Sequence, residues 1–128
     1  MKLSYIAGSF LALSTVAADA FADSYTFTPP VALSTGRTVW CVAQNTTGKD
    51  SKAGVSGALI LQNGTGQGYV TPVSVPAQQT KYITGGSGGS GLASCAFKYK
   101  AVNPNQVKGS IVVLDANNAL VFTLSASK

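Results

Sequence analysis

A chain without histidine or glutamate has few ways to move a proton, and this 128-residue sequence contains neither. Its carboxylates are all aspartates, and once the amino-terminal leader is set aside only Asp23, Asp50 and Asp115 remain. General acid/base catalysis needs a titrating group within reach of the reacting atom, and paired-carboxylate hydrolysis needs two that converge. A terminus, a loop and a turn do not supply such a pair. Two motifs match on letters alone. Gly85-Gly86-Ser87-Gly88-Gly89 fits G-x-S-x-G, but a nucleophile elbow needs a strand-to-helix turn and a base. Gly86, Gly88 and Gly91 fit G-x-G-x-x-G, yet no helix follows to receive a pyrophosphate at its N-terminus. The run reads as a flexible Gly/Ser loop. Asp115 with Asn117 is half of a calcium loop without its other oxygen ligands, and a tight hairpin turn accounts for it. Two thiols in a histidine-free chain are too few ligands for zinc. No catalytic residue, metal or cofactor is expected, and the sequence reads as that of a non-enzyme.

Cys41 and Cys95 carry firmer information. Met1-Lys2 gives a short positive start, the run 5–16 is mostly apolar and small, and Ala20-Phe21-Ala22 supplies an A-x-A cleavage pattern, so 1–22 reads as a signal peptide. Cleavage after Ala20 is the competing choice. The apolar run is shorter than the roughly 20 residues a membrane span requires, and Gly8, Ser9, Ser14 and Thr15 interrupt it. No later stretch is long enough to span, and no cysteine at the cleavage point offers a lipid anchor. The mature chain, 23–128, is expected to be a single domain that is secreted or periplasmic, with the cell surface as one destination. Two cysteines in an oxidising compartment pair with each other. Closing a loop of 54 residues contributes about 4 kcal/mol in the chain-entropy model.

Strands must hold that pair. Cys95, Phe97 and Tyr99 alternate with Ala96, Lys98 and Lys100, and Leu120, Phe122 and Leu124 alternate with Val121, Thr123 and Ser125, the period-2 signature of half-buried strands. Similar strands are predicted near 24–28, 37–44, 55–62, 69–75, 79–84 and 107–115. The stretch 111–114 is apolar on both faces, which suits a central position between two packed layers. Turn chemistry separates the strands at 45–48, 63–68, 75–77, 85–91, 103–105 and 115–118. About seven to eight short strands and no helical stripe predict an all-β fold, an antiparallel immunoglobulin-like sandwich with one disulfide. A small β-barrel is the alternative.

The two cysteine strands, the bend Pro76-Ala77-Gln78-Gln79-Thr80 and the hairpin Asp115-Ala116-Asn117-Asn118 together resemble the small exported, single-disulfide, immunoglobulin-like proteins of bacteria, over 37–124. The resemblance implies a subunit or binding module without catalysis. Immunoglobulin domains bury a tryptophan on the strand after the first cysteine, whereas here Trp40 immediately precedes Cys41. Adjacent strand residues point to opposite faces, so if Cys41 faces inward, Trp40 and Val42 face outward.

Only 10% of the chain is charged, and removing Lys2 and Asp19 with the leader leaves eight basic and three acidic residues, a net +5. Such a surface is compatible with self-association. Trp40 and a lysine face of Lys81, Lys98, Lys100 and Lys108 form one candidate binding surface, for a carbohydrate, an acidic polysaccharide or another polyanion. Nucleic acid is not expected, because the neighbouring aromatics Phe97 and Tyr99 alternate to the opposite side. The amino end offers a second candidate. Tyr25 and Phe27 share a face of a strand that Pro29-Pro30 keeps out of a regular ladder, so 23–30 could complete the sheet of a neighbour, as fimbrial subunits do by donated strands. The carboxyl end, Ser125-Ala126-Ser127-Lys128, lacks the penultimate tyrosine common in chaperone-assembled pilins. Asn45-Thr46-Thr47 and Asn63-Gly64-Thr65 are formal glycosylation sequons whose Asn and Gly also suit turns. The leading expectation is an exported structural or interaction protein, a self-assembling surface or adhesion subunit. The alternative is a carbohydrate- or polyanion-binding module.

Overall fold

The computed structural model describes residues 24–51, 54–62, 66–87, 91–100 and 102–128. The signal peptide expected over 1–22, Asp23 and the sequon at Asn63 lie outside them. Nine strands are present among the described residues: β1 (Ser24–Phe27), β2 (Val31–Leu33), β3 (Thr38–Asn45), β4 (Val55–Leu61), β5 (Gly66–Gln67), β6 (Thr80–Ser87), β7 (Gly91–Tyr99), β8 (Val107–Leu114) and β9 (Leu120–Ser125). They form two antiparallel sheets, one ordered β1-β7-β4-β5 with β2 also on β7, the other β6-β3-β8-β9. No helix among these residues is long and apolar enough to cross a membrane.

β1 and β2 run along the same side of β7 as one interrupted strand. Phe27 pairs with Ala96 and Val31 with Ala93, so the first strand takes one residue more than β7 between the two pairs. Pro29 and Pro30 fill that step, where neither can donate to the ladder. Counted as one, they leave eight strands in an all-β, two-sheet arrangement that does not close into a barrel.

The core lies between the sheets. Alternation turns Val39, Cys41 and Ala43 of β3, Ile111 and Val113 of β8, and Cys95, Phe97 and Tyr99 of β7 inward, all of them buried. Cys41 and Cys95 form the expected disulfide, with Cα atoms 5.7 Å apart. It joins β3 at the centre of one sheet to β7 at the centre of the other. Phe97 packs onto Gly109, where any Cβ would collide with its ring.

Two expected elements differ. The stretch 69–75 forms no continuous strand and contributes an isolated bridge between Val55 and Val73, because Pro72 withholds an N–H in the middle of it. Of the predicted Gly/Ser loop at 85–91, positions 88–90 lie outside the described residues and the rest is strand. Gly85, Gly86 and Ser87 pair with Trp40, Val39 and Thr38, so glycine here extends β6, and Gly91 already opens β7.

Candidate functional site

With the core residues turned inward, each sheet presents the other half of its side chains as an outer face. On the β6-β3-β8-β9 sheet, Trp40 stands directly opposite Gly85 on one side and Val112 on the other, while Val42 stands opposite Tyr82 and Ser110. Trp40 and Tyr82 form a tilted ring pair with centroids 5.0 Å apart. Gly85 makes this possible, because a Cβ there would run into the Trp40 ring and the Val39 carbonyl. Val42, outward as expected, is nevertheless buried, whereas Tyr82 and Leu120 remain 62% and 61% exposed. Leu114 links Thr38 to Leu120 in the same layer. The apolar outward residues of β8 thus belong to an open face and do not meet a second packed layer. Lys108, opposite Gln44 at one end, carries the charge on this face.

The outer face of the other sheet is cationic at its centre. Tyr25 is opposite Lys98, which is opposite Ser56, and Phe27 is opposite Ala96, which is opposite Ala58. Tyr69 arrives from the far side of β4, on a segment tied down by the Val70 N–H bond to the Gly57 carbonyl. Its ring meets Tyr25 edge-on at 6.2 Å. Lys98 Nζ lies 5.3 Å from the centre of the same ring, within cation–π range. Partial burial, and secondarily the neighbouring Tyr25, raises the Tyr69 hydroxyl above the ordinary tyrosine value. Farther along, Pro30, Ile60, Gln62, Leu92 and Ser94 border a groove of about 270 Å³.

The four lysines expected to share a face are divided. Lys98 stands among the tyrosines and Lys100 is exposed just past the end of β7, but Lys108 belongs to the opposite sheet. Lys81 is opposite Ala43, on the inward side of the ladder at the edge of that same sheet. Lysine spacing on β7 was readable, whereas the sheet that each other strand joins was not. Trp40 is also remote from Lys98, on the other outer face.

The amino-terminal strand sits in its own sheet, flanked by β7 and by a two-bond bridge between Phe27 and Ser127. Its alternation is the reverse of the one expected for an inserted arm. Thr26 and Thr28 face inward, and Tyr25 and Phe27 are 45% and 51% exposed. Polar contacts select this register: Thr26 Oγ1 is 2.9 Å from Tyr99 Oη, and the Cys95 N–H donates to Thr28 Oγ1 at 2.8 Å. Tyr99 Oη also accepts from the Gly109 N–H at 3.1 Å. Burial raises the Tyr99 hydroxyl despite these two bonds, which act in the opposite direction.

The polar candidates brace turns. Asp50 Oδ1 accepts the Ala77 N–H, and Asp115 Oδ1 accepts those of Asn117 and Ala119, closing the β8–β9 hairpin. Asn45 is fully buried. Its Nδ2 donates to the carbonyls of Lys49 and Val75, and its Oδ1 accepts from the N–H and hydroxyl of Thr47. A sequon asparagine held in this way is a structural bracket. Among the described residues no group of three metal-ligating side chains converges. Sequence reasoning missed Tyr82 and Tyr69. Extending β6 through Gly85 would have found the first, but no local pattern marks the second, which lies outside regular structure. Comparison with protein-family models, curated proteins and solved structures finds no match to this chain.

Proposed function

We propose that this protein is an exported, non-enzymatic interaction subunit of the immunoglobulin-like kind, which associates with copies of itself at or near a cell surface. The observation that carries the reading is the Trp40–Tyr82 pair seated on Gly85 in a sheet face whose central rows hold no charge. Exposed apolar patches rimmed by polar residues mark interaction sites, and aromatic anchors dominate their energetics. A neutral face can meet a second neutral face without bringing like charges together, which matters for a chain of net charge +5. The buried disulfide is consistent with an oxidising compartment.

Strand exchange is a costlier route to the same end. Withdrawing β1 would break its pairing with β7, the Ser127 bridge and the two inward threonine contacts, whereas contact through the outer face requires none of this. Light scattering and electron microscopy of the mature protein test the proposal. Discrete oligomers or filaments are expected, and Tyr82→Ser with Leu120→Ser should return them to monomers. A mature protein that stays monomeric at high concentration would sink it.

A further inference from the structure

We infer that the outer face of the β1-β7-β4-β5 sheet binds an acidic polysaccharide, with Tyr25, Phe27 and Tyr69 as its stacking surface and Lys98 as its carboxylate contact. The inference does not rest on self-association, since it concerns the opposite side of the molecule.

Sugar rings present flat arrays of C–H groups edged by hydroxyls, and they suit a surface that is aromatic in the middle and wet at its rim. Tyr25, Phe27 and Tyr69 are each between 41% and 51% exposed, and they are held in place from below by backbone pairing or ring contact. The groove beyond them continues the apolar surface past Ile60 and Leu92, with Gln62 and Ser94 as polar neighbours. Charge then selects among sugars. The described aspartates, Asp50 and Asp115, are tied into a loop and a hairpin elsewhere, so among the described residues Lys98 and its neighbour Lys100 meet no acidic side chain on this face. A uronic acid stacked on the rings would place its carboxylate where Lys98 Nζ can donate a charge-assisted bond.

The same features disfavour other occupants. A second copy facing this surface would bring Lys98 toward another cationic face. Nucleic acid binding draws most of its strength from several cations tracking consecutive phosphates, and the two lysines among the described residues of this face do not make such a track.

The test is calorimetric titration of the full mature protein with polygalacturonate, alginate and hyaluronate, beside neutral dextran and duplex DNA. At least one acidic polysaccharide should bind, more weakly as salt rises, and dextran and DNA should not. Lys98→Gln should weaken binding about tenfold, and Phe27→Ser should weaken it as well. Lys108→Gln makes the same change in net charge on the opposite face and should leave binding nearly unchanged. A Leu120→Ser variant that is deficient in self-association should bind as tightly as the parent. Equal losses from Lys98→Gln and Lys108→Gln would reduce the effect to net charge and overturn the assignment. Failure of all three acidic polymers, or DNA binding with the same dependence on Lys98, would overturn it too.

Discussion

The two outer faces use similar side chains and differ in how those side chains are held. On the β6-β3-β8-β9 face the aromatic pair comes from neighbouring ladder-paired strands, and Trp40 rests on backbone at Gly85. On the other face Tyr69 comes from a segment without continuous pairing and is positioned by an edge-on contact with Tyr25 and by Lys98. An aromatic pair contributes about 0.5–1.5 kcal/mol beyond burial, and an exposed cation–π contact about 0.5–1 kcal/mol. The first face is therefore as rigid as its sheet, while on the second the Tyr69 ring, on a backbone held at Val70 and Val73, can swing for roughly the energy of two such contacts. A rigid neutral face suits a fixed contact between copies. An adjustable cationic one suits a flexible, variable polymer.

The largest effect should erase this contrast. The disulfide joins β3, beneath one face, to β7, beneath the other, so its loss should weaken both together. Cys41→Ala and Cys95→Ala should each cost about 2–5 kcal/mol in denaturant unfolding, to similar extents. A variant that lost one face's activity at full stability would show that the faces are not mechanically joined through the core.

The second effect should separate them. In Gly85→Ala the new methyl group occupies the space of the Trp40 ring and crowds the Val39 carbonyl, and overpacking of this kind costs about 1–3 kcal/mol. Tryptophan fluorescence should shift as the ring moves, and self-association should fall. Tyr25, Tyr69 and Lys98 lie on the other outer face and should be undisturbed. If association survives with the fluorescence changed, the Trp40–Tyr82 pair is not the contact.

What could be read from the sequence follows the same division. Period-2 alternation identified β3, β7 and β8 and the inward cysteines, because there burial and local pattern agree. It located β9 but not its faces, since a register shift between Val113 and Leu114 sets Leu120 on the outer face while Phe122 packs against the core. It placed Tyr25 and Phe27 on one face of β1 but could not tell which way that face points. The actual orientation depends on bonds from Thr26 to Tyr99 and from Thr28 to Cys95, partners 73 and 67 residues away. Glycine's poor strand propensity concealed the end of β6, which pairing with Trp40 and Val39 overrides. The lysine face failed for a topological reason, since residue spacing cannot tell which sheet a strand joins. The Asn45 turn was legible, but its buried bracket to Val75, 30 residues away, was not.

The smallest expected effect concerns the seam where the faces meet. Tyr99, bonded to Thr26 of β1 and Gly109 of β8, has its hydroxyl raised by burial. The folded state therefore holds this proton more tightly than the unfolded chain, whose tyrosines titrate near pH 10. The resulting stabilisation is fully present below that pH and is lost as pH rises through the higher folded value. Unfolding midpoints should accordingly decline above about pH 10. Tyr99→Phe should be less stable at neutral pH, having lost both bonds, yet show a shallower alkaline decline. Tyr69 is also raised, but it is 41% exposed and its hydroxyl stays close to solvent, so Tyr69→Phe should keep most of the parent's alkaline slope. If Tyr69→Phe flattened the decline more than Tyr99→Phe, the proton would be held on the open face, and that face would be more enclosed in solution than its geometry implies.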